Sequence, residues 1–134
     1  MLFSHLHIRN TVGLIGEEEA VRLLKDKGYR ILERNWKIGH LEVDIIAENK
    51  EAIVFLEVKT RTSDFKRAEQ YVDSAKKFRM QTAANAYIRA NRCQKYPRFD
   101  IIGVQLAKDG RNVLSITHLE NAFMPKMKSY GVLV

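Results

Sequence analysis

The segment Ile53-Val54-Phe55-Leu56-Glu57-Val58-Lys59-Thr60-Arg61 is apolar enough for a central strand, yet it carries charges in its middle. Side chains along a strand alternate between faces, so Phe55, Glu57, Lys59 and Arg61 share one face while Val54, Leu56 and Val58 share the other. Burying a charge without a partner is strongly unfavourable. Any fold built around this segment must therefore bring an opposing group to Glu57 and Lys59. The nearest candidate is Asp44, in Glu42-Val43-Asp44-Ile45-Ile46, and the intervening Glu48-Asn49-Lys50-Glu51 suits a hairpin turn. Such a hairpin sets Asp44 against Glu57, with Cβ atoms about 5 Å apart for a directly opposed pair.

Two carboxylates converging beside a lysine suit a hard divalent cation, Mg²⁺ or Mn²⁺, which takes oxygen ligands and keeps several waters. The backbone C=O of Val58 lies between Glu57 and Lys59 and is available to the same ion. A bound ion acidifies water and neutralises charge on a phosphorane-like transition state, and a lysine can orient that water. A salt-bridge cluster of Asp44, Lys59 and Glu57 without catalytic duty answers the burial problem equally, and the residue types leave both readings open. A third carboxylate comes from the helix expected over 16–27. There Glu17 falls on the apolar stripe of Leu14, Ala20, Val21 and Leu24, whereas Glu18 and Glu19 turn away. Gly16 and Gly13 would let this helix approach a sheet closely.

The rest of the chain reads as strands at 29–36, 42–47 and 52–60, a helix at 69–91, a strand at 99–106, a return strand at 113–117 and a short helix around 119–123. The order is αβββαβ with a further strand. The 134 residues, 46% of them hydrophobic, fit one domain with a core of about 13–123 and a loose tail at 124–134. No apolar run approaches the ~18–20 residues of a membrane span. The opening MLFSHLHIRN lacks the apolar stretch of a secretory signal, and the single Cys93 forbids a disulfide framework. The expectation is a soluble, cytoplasmic domain. The whole net charge of +7 arises between Arg61 and Arg98, where ten basic residues face only Asp64, Glu69 and Asp73. A localised basic field is the usual footprint of a polyanion partner, although a solvated helix face has the same composition.

The ordered blocks Gly16-Glu17-x-x-Ala20, Gly28-Tyr29-Arg30-Ile31-Leu32-x-Arg34-Asn35-Trp36, Glu42-Val43-Asp44-Ile45-Ile46, Phe55-Leu56-Glu57-Val58-Lys59-Thr60-Arg61 and Arg98-Phe99-Asp100 resemble the YraN-type family of predicted endonucleases. That family is similar to archaeal Holliday-junction resolvases of the PD-(D/E)XK nuclease superfamily. The resemblance implies an α/β fold with a restriction-endonuclease-like αβββαβ core, its mixed central sheet flanked by helices. It also implies a Mg²⁺- or Mn²⁺-dependent endodeoxyribonuclease acting on DNA, with branched structures among the candidate substrates and a homodimer as one assembly. Carried over by position, Glu17, Asp44, Glu57 and Lys59 become the catalytic residues. Glu17, Asp44, Glu57 and the Val58 carbonyl become the metal ligands. Glu42 and His40 become supporting groups at the rim. His40-Leu41-Glu42 stands where the family commonly has Gly-Gly-Glu.

Arg61 shares the face of Lys59 and is the best placed to hold a phosphate, with Lys66, Arg67, Lys76, Lys77 and Arg79 as further contacts to nucleic acid. Asp100 reads as a partner for a buried base, and Trp36, Tyr71, Phe78 and Tyr87 as core aromatics. Two alternatives keep the fold without the chemistry: a nucleic-acid-binding module with little or no catalysis, and a protein-interaction domain with a purely structural charge cluster.

Overall fold

A computed structural model of the chain describes residues 4–63 and 73–123. Helix α1 (Ser4–Asp26) leads into strands β1 (Arg30–Ile38), β2 (Leu41–Glu48) and β3 (Ala52–Thr62). Helix α2 (Ser74–Asn91) follows, then β4 (Tyr96–Leu106) and β5 (Val113–Phe123). The strands form one mixed sheet in sequence order, antiparallel throughout except where β4 lies parallel to β3. That parallel pair needs a crossover, and α2 supplies it.

The two helices cover opposite faces. On one, Ala20, Val21 and Leu24 of α1 pack on Val54, Leu56, Ile102, Val104 and Leu106. On the other, Met80, Ala83, Ala84 and Tyr87 of α2 pack on Ile46, Ile53, Phe55 and Phe99. The strand period thus assigns the faces of β3 as expected, and Glu57 falls on the α2 side. The inward face of α1 is centred on Ala20 and Leu24, so Gly16 is buried while Leu14 is 56% exposed, off the stripe the sequence suggested. A Cβ on Gly16 would lie 1.8 Å from Thr60 Oγ1 and 2.8 Å from Thr60 Cβ, so the helix rests on β3 at this glycine. Gly13 meets nothing within 4 Å and plays no such part. Phe78 is also mostly exposed and is not a core residue, whereas Tyr87 meets Trp36 edge-on at 5.1 Å between ring centroids.

No helix forms at 119–123. β5 continues through Phe123, with Leu119 opposite Ile101 and Phe123 opposite Phe99. A fully buried Asp100 explains the difference. It accepts from Arg98 Nε at 2.9 Å and Nη2 at 2.8 Å, and from the Asn121 backbone N–H at 2.9 Å. Its Oδ2 also lies 2.7 Å from His118 Nε2. Asn121 takes a left-handed φ of 52°, and beyond it Phe123 stacks on Phe99 at 4.9 Å. Tertiary anchoring thus overrides the local preference of a short segment. Lys27 Nζ has only donors and lies 2.9 Å from His118 Nδ1, which leaves Nε2–H to donate to Asp100. The expected tail at 124–134 and the contacts assigned to Lys66 and Arg67 lie outside the described residues.

Two outcomes follow from this packing. Gly16→Ala is expected to cost about 1–3 kcal/mol by forcing α1 off Thr60, read as a lower urea midpoint at unchanged slope. Burial alone would push the Asp100 carboxyl up, but the hydrogen bonds from His118, Arg98 and Asn121 outweigh it and hold it below the usual range. Its contribution is therefore fully present above the ordinary carboxylate value and is lost as pH falls through the depressed one. Asp100→Ala is expected to lose about 3–5 kcal/mol at neutral pH, because it leaves the partly buried Arg98 with the Tyr29 hydroxyl in place of a carboxylate, and the loss should shrink in strong acid.

Candidate metal and nucleic-acid site

Pairing between β2 and β3 runs from Glu48 opposite Ile53 to Ile45 opposite Leu56. The next step along that register would set Asp44 opposite Glu57, as the hairpin reading required. There a side chain takes over from the ladder: Asp44 Oδ2 accepts the Val58 backbone N–H at 2.8 Å. The N–H and C=O of one strand residue point to the same edge, so the Val58 carbonyl also faces β2 and Asp44. β3 remains paired to β4 on its other edge as far as Thr62 opposite Leu106, so the strand bearing Glu57 and Lys59 stays rigid through the site.

Glu57 is 5% exposed and is held by two ammonium groups. Lys59 Nζ lies 3.3 Å from its Oε1, and Lys76 Nζ, from the first turn of α2, lies 3.2 Å from its Oε2. Glu17 reaches in from α1, where Asn35 Nδ2 donates to its Oε2 at 3.3 Å and Arg34 stands 3.9 Å away. Turned over, the Asn35 amide donates to Glu17 at 3.0 Å and to Glu42 at 3.2 Å, bridging the two acids. Asn35 adopts φ 51° in the middle of β1, a conformation that asparagine tolerates better than most residues.

The charges converge on Asp44. Burial and then the negative charge of Glu57 raise its carboxyl from 3.8 to about 7, with Glu17 adding to the rise. The Val58 N–H and the more distant Lys76 only partly oppose this. A carboxyl held protonated up to about neutrality beside two other acids is what a divalent cation would relieve, so the donor set fits Mg²⁺ or Mn²⁺. Among the described residues no three His, Cys, Asp or Glu side chains are grouped closely enough to hold a metal ion, so Glu17, Asp44 and Glu57 do not form the three-carboxylate ligand set that the resemblance implied. The fit is to an ion held by two carboxylates and a carbonyl that keeps part of its water.

The remaining sequence candidates are more scattered. His40 is exposed in the Gly39-His40 turn, and Glu42 is exposed at the start of β2. Arg61, at the end of β3, donates from Nη1 to the Thr60 carbonyl at 2.9 Å. Lys77 Nζ sits 5.6 Å from the centre of the Phe123 ring, and Arg79 is exposed on α2. The basic stretch is not one patch, since Lys95 bonds Glu48 at 3.0 Å and Arg98 serves Asp100. Sequence reasoning missed the pairing of Lys76 with Glu57 and the bridging place of Asn35. One sign of the first was available: a lysine in the first turn of a helix opposes the macrodipole and needs a reason.

Comparison with known proteins places the chain. The profile of Uncharacterised protein family UPF0102 matches residues 16–104. A UPF0102 protein of Caldanaerobacter subterraneus subsp. tengcongensis is 43% identical over 117 residues, covering 86% of this chain and 96% of the relative. Others from Bacteroides thetaiotaomicron and Dictyoglomus thermophilum are each 40% identical, covering 88% and 84% of this chain and 96% of each relative. The chain belongs to the UPF0102 family. No helix among the described residues is long and apolar enough to cross a membrane.

The Asp44 environment has a measurable signature without any added ion. Its folded value of about 7 lies above the unfolded one, so between about pH 4 and 7 the folded state keeps a proton that the unfolded state has lost. Stability of the protein in EDTA should fall across that window and level off above it. Asp44→Asn keeps an acceptor for the Val58 N–H and carries no charge. At pH 8 in EDTA it should raise Tm by about 3–5 °C, the shift that roughly 1 kcal/mol gives a domain of this size, and it should flatten the pH dependence.

Proposed function

We propose that this member of UPF0102 is a metal-dependent nuclease that binds DNA and hydrolyses phosphodiester bonds, with branched structures among its substrates. The observation that carries the reading is the partly buried Asp44 carboxyl, raised to about 7 beside Glu57, at the place where β2 and β3 stop pairing. A purely structural ion-pair cluster would match each acid with a base, whereas here Asp44 accepts a backbone N–H and faces two other acids.

Asp44, Glu57 and the Val58 carbonyl would hold the cation, with Glu17 as a third acid at its margin. When bound, such an ion supplies Lewis-acid stabilisation of the phosphoryl oxygens and acidifies a water. The chain's own residues do the positioning. β3 fixes Glu57 and Lys59 on one face, two residues apart, and Lys59 would donate from Nζ to a water approaching the phosphorus. Arg61, next on that face, presents a planar cation toward an adjacent phosphate. Exposed Arg79 on α2 extends the basic surface on the same side of the sheet. None of these groups reads a base edge, so selectivity is expected to follow strand topology and shape.

Support comes also from the family resemblance and from the basic excess between Arg61 and Arg98. The test is cleavage of labelled four-way junction, flap and linear duplex DNA in Mg²⁺, Mn²⁺ or EDTA. The expected outcome is metal-dependent cutting that falls by at least about 10²-fold in Asp44→Asn, Glu57→Ala and Lys59→Ala. Salt-sensitive binding without any cutting would make the protein a DNA-binding module instead.

A further inference from the structure

The first turn of α2 runs against helix electrostatics. Helix N-termini favour anions, yet this turn has no acidic residue and carries Lys76 and Lys77. Asp73 caps the helix by accepting the Lys76 backbone N–H at 2.9 Å, a task no lysine ammonium could perform. Its ammonium is spent on Glu57, 3.2 Å from Oε2, with the side chain 24% exposed. Lys59 holds the other oxygen, so both acceptors of this buried carboxylate face a cation.

A divalent ion on Glu57 must share those oxygens with the two ammoniums. The lysines differ in where they are rooted. Lys59 is fixed two residues from Glu57 on the same face of a strand that stays paired to β4. Lys76 has the same flexible four-carbon stem and a similar exposure, 24% against 21%, but it comes from another element. Resting on the reading of Glu57 as a metal ligand, we propose that Lys76 is a built-in competitor for the divalent cation. Its ammonium neutralises Glu57 while no metal is bound, is displaced when the ion arrives, and then becomes a phosphate-binding cation. Metal and DNA thereby favour each other's binding, because the ion releases the charge that the DNA uses.

The test uses the full chain, with Mn²⁺ as the probe and free Mn²⁺ followed by electron paramagnetic resonance. Lys76→Met should bind Mn²⁺ about tenfold more tightly than wild type, whereas Lys76→Arg, which keeps the charge, should stay near wild type. Circular dichroism melts confirm that each variant is folded. A second readout is anisotropy of a phosphorothioate duplex across a salt series. In Mg²⁺, Lys76→Met should lower the slope of log K against log salt by about one, and in EDTA it should leave the slope unchanged. Equal or weaker Mn²⁺ binding by Lys76→Met, with binding still abolished by Glu57→Gln, would overturn the competitor role and leave the nuclease reading standing. Mn²⁺ binding that ignores Glu57→Gln, or no binding at all, would overturn both.

Discussion

The hydrogen bond from the Val58 N–H to the Asp44 carboxylate holds together the part of the sheet on which everything else depends. A central strand can carry Glu57 at 5% exposure only if its surroundings manage the charge. Lys59 and Lys76 do so, while β2, whose pairing with β3 begins only at Ile45, places a second acid against the unpaired Val58 N–H. The solution is electrostatically expensive, because it sets the partly buried Asp44 beside the buried Glu57 and raises Asp44 to about 7. Local conflict of that kind, kept in an otherwise consistent fold, is the expected mark of a working site.

The rest of the architecture delivers partners to that place. Gly16 seats α1 on Thr60, and the next residue, Glu17, is carried to the rim, where Asn35 receives it. The crossover helix α2 starts with Asp73 capping and delivers Lys76 to Glu57. On the opposite face, Asp100 ties Arg98, His118 and the Asn121 backbone together and fixes β5 against β4. That second charge cluster differs in kind. Asp100 is matched by donors and held below its usual range, whereas Asp44 is crowded by acids and pushed up.

Much of this is written in short-range pattern. The alternation of Ile53 to Arg61 gave the two faces of β3, and the hairpin turn placed Asp44 beside Glu57. The helical period picked out Glu17 from three consecutive glutamates. Other features depend on contacts that no local window contains. The segment 119–123 is a strand because Asp100 captures the Asn121 N–H and Phe99 stacks on Phe123, not because of its own preference. Leu14 and Phe78 are apolar at helical spacing yet exposed, since no element among the described residues lies over them. The ten clustered basic residues suggested one patch, but Lys95 and Arg98 lie on other elements and serve Glu48 and Asp100. Lys76 was legible as a cation and not as a partner of Glu57, because that pair spans the crossover.

The central claim is that Asp44 and Glu57 form a divalent-cation site at the open end of the β2–β3 pair. Crystals grown with Mn²⁺ and measured for anomalous scattering at the manganese edge test it most directly. The expected result is a peak in contact with oxygens of both Asp44 and Glu57 and with the Val58 carbonyl, with Lys76 moved off Glu57. A structure at saturating Mn²⁺ that shows no peak there, and keeps both lysines on Glu57, would contradict the claim.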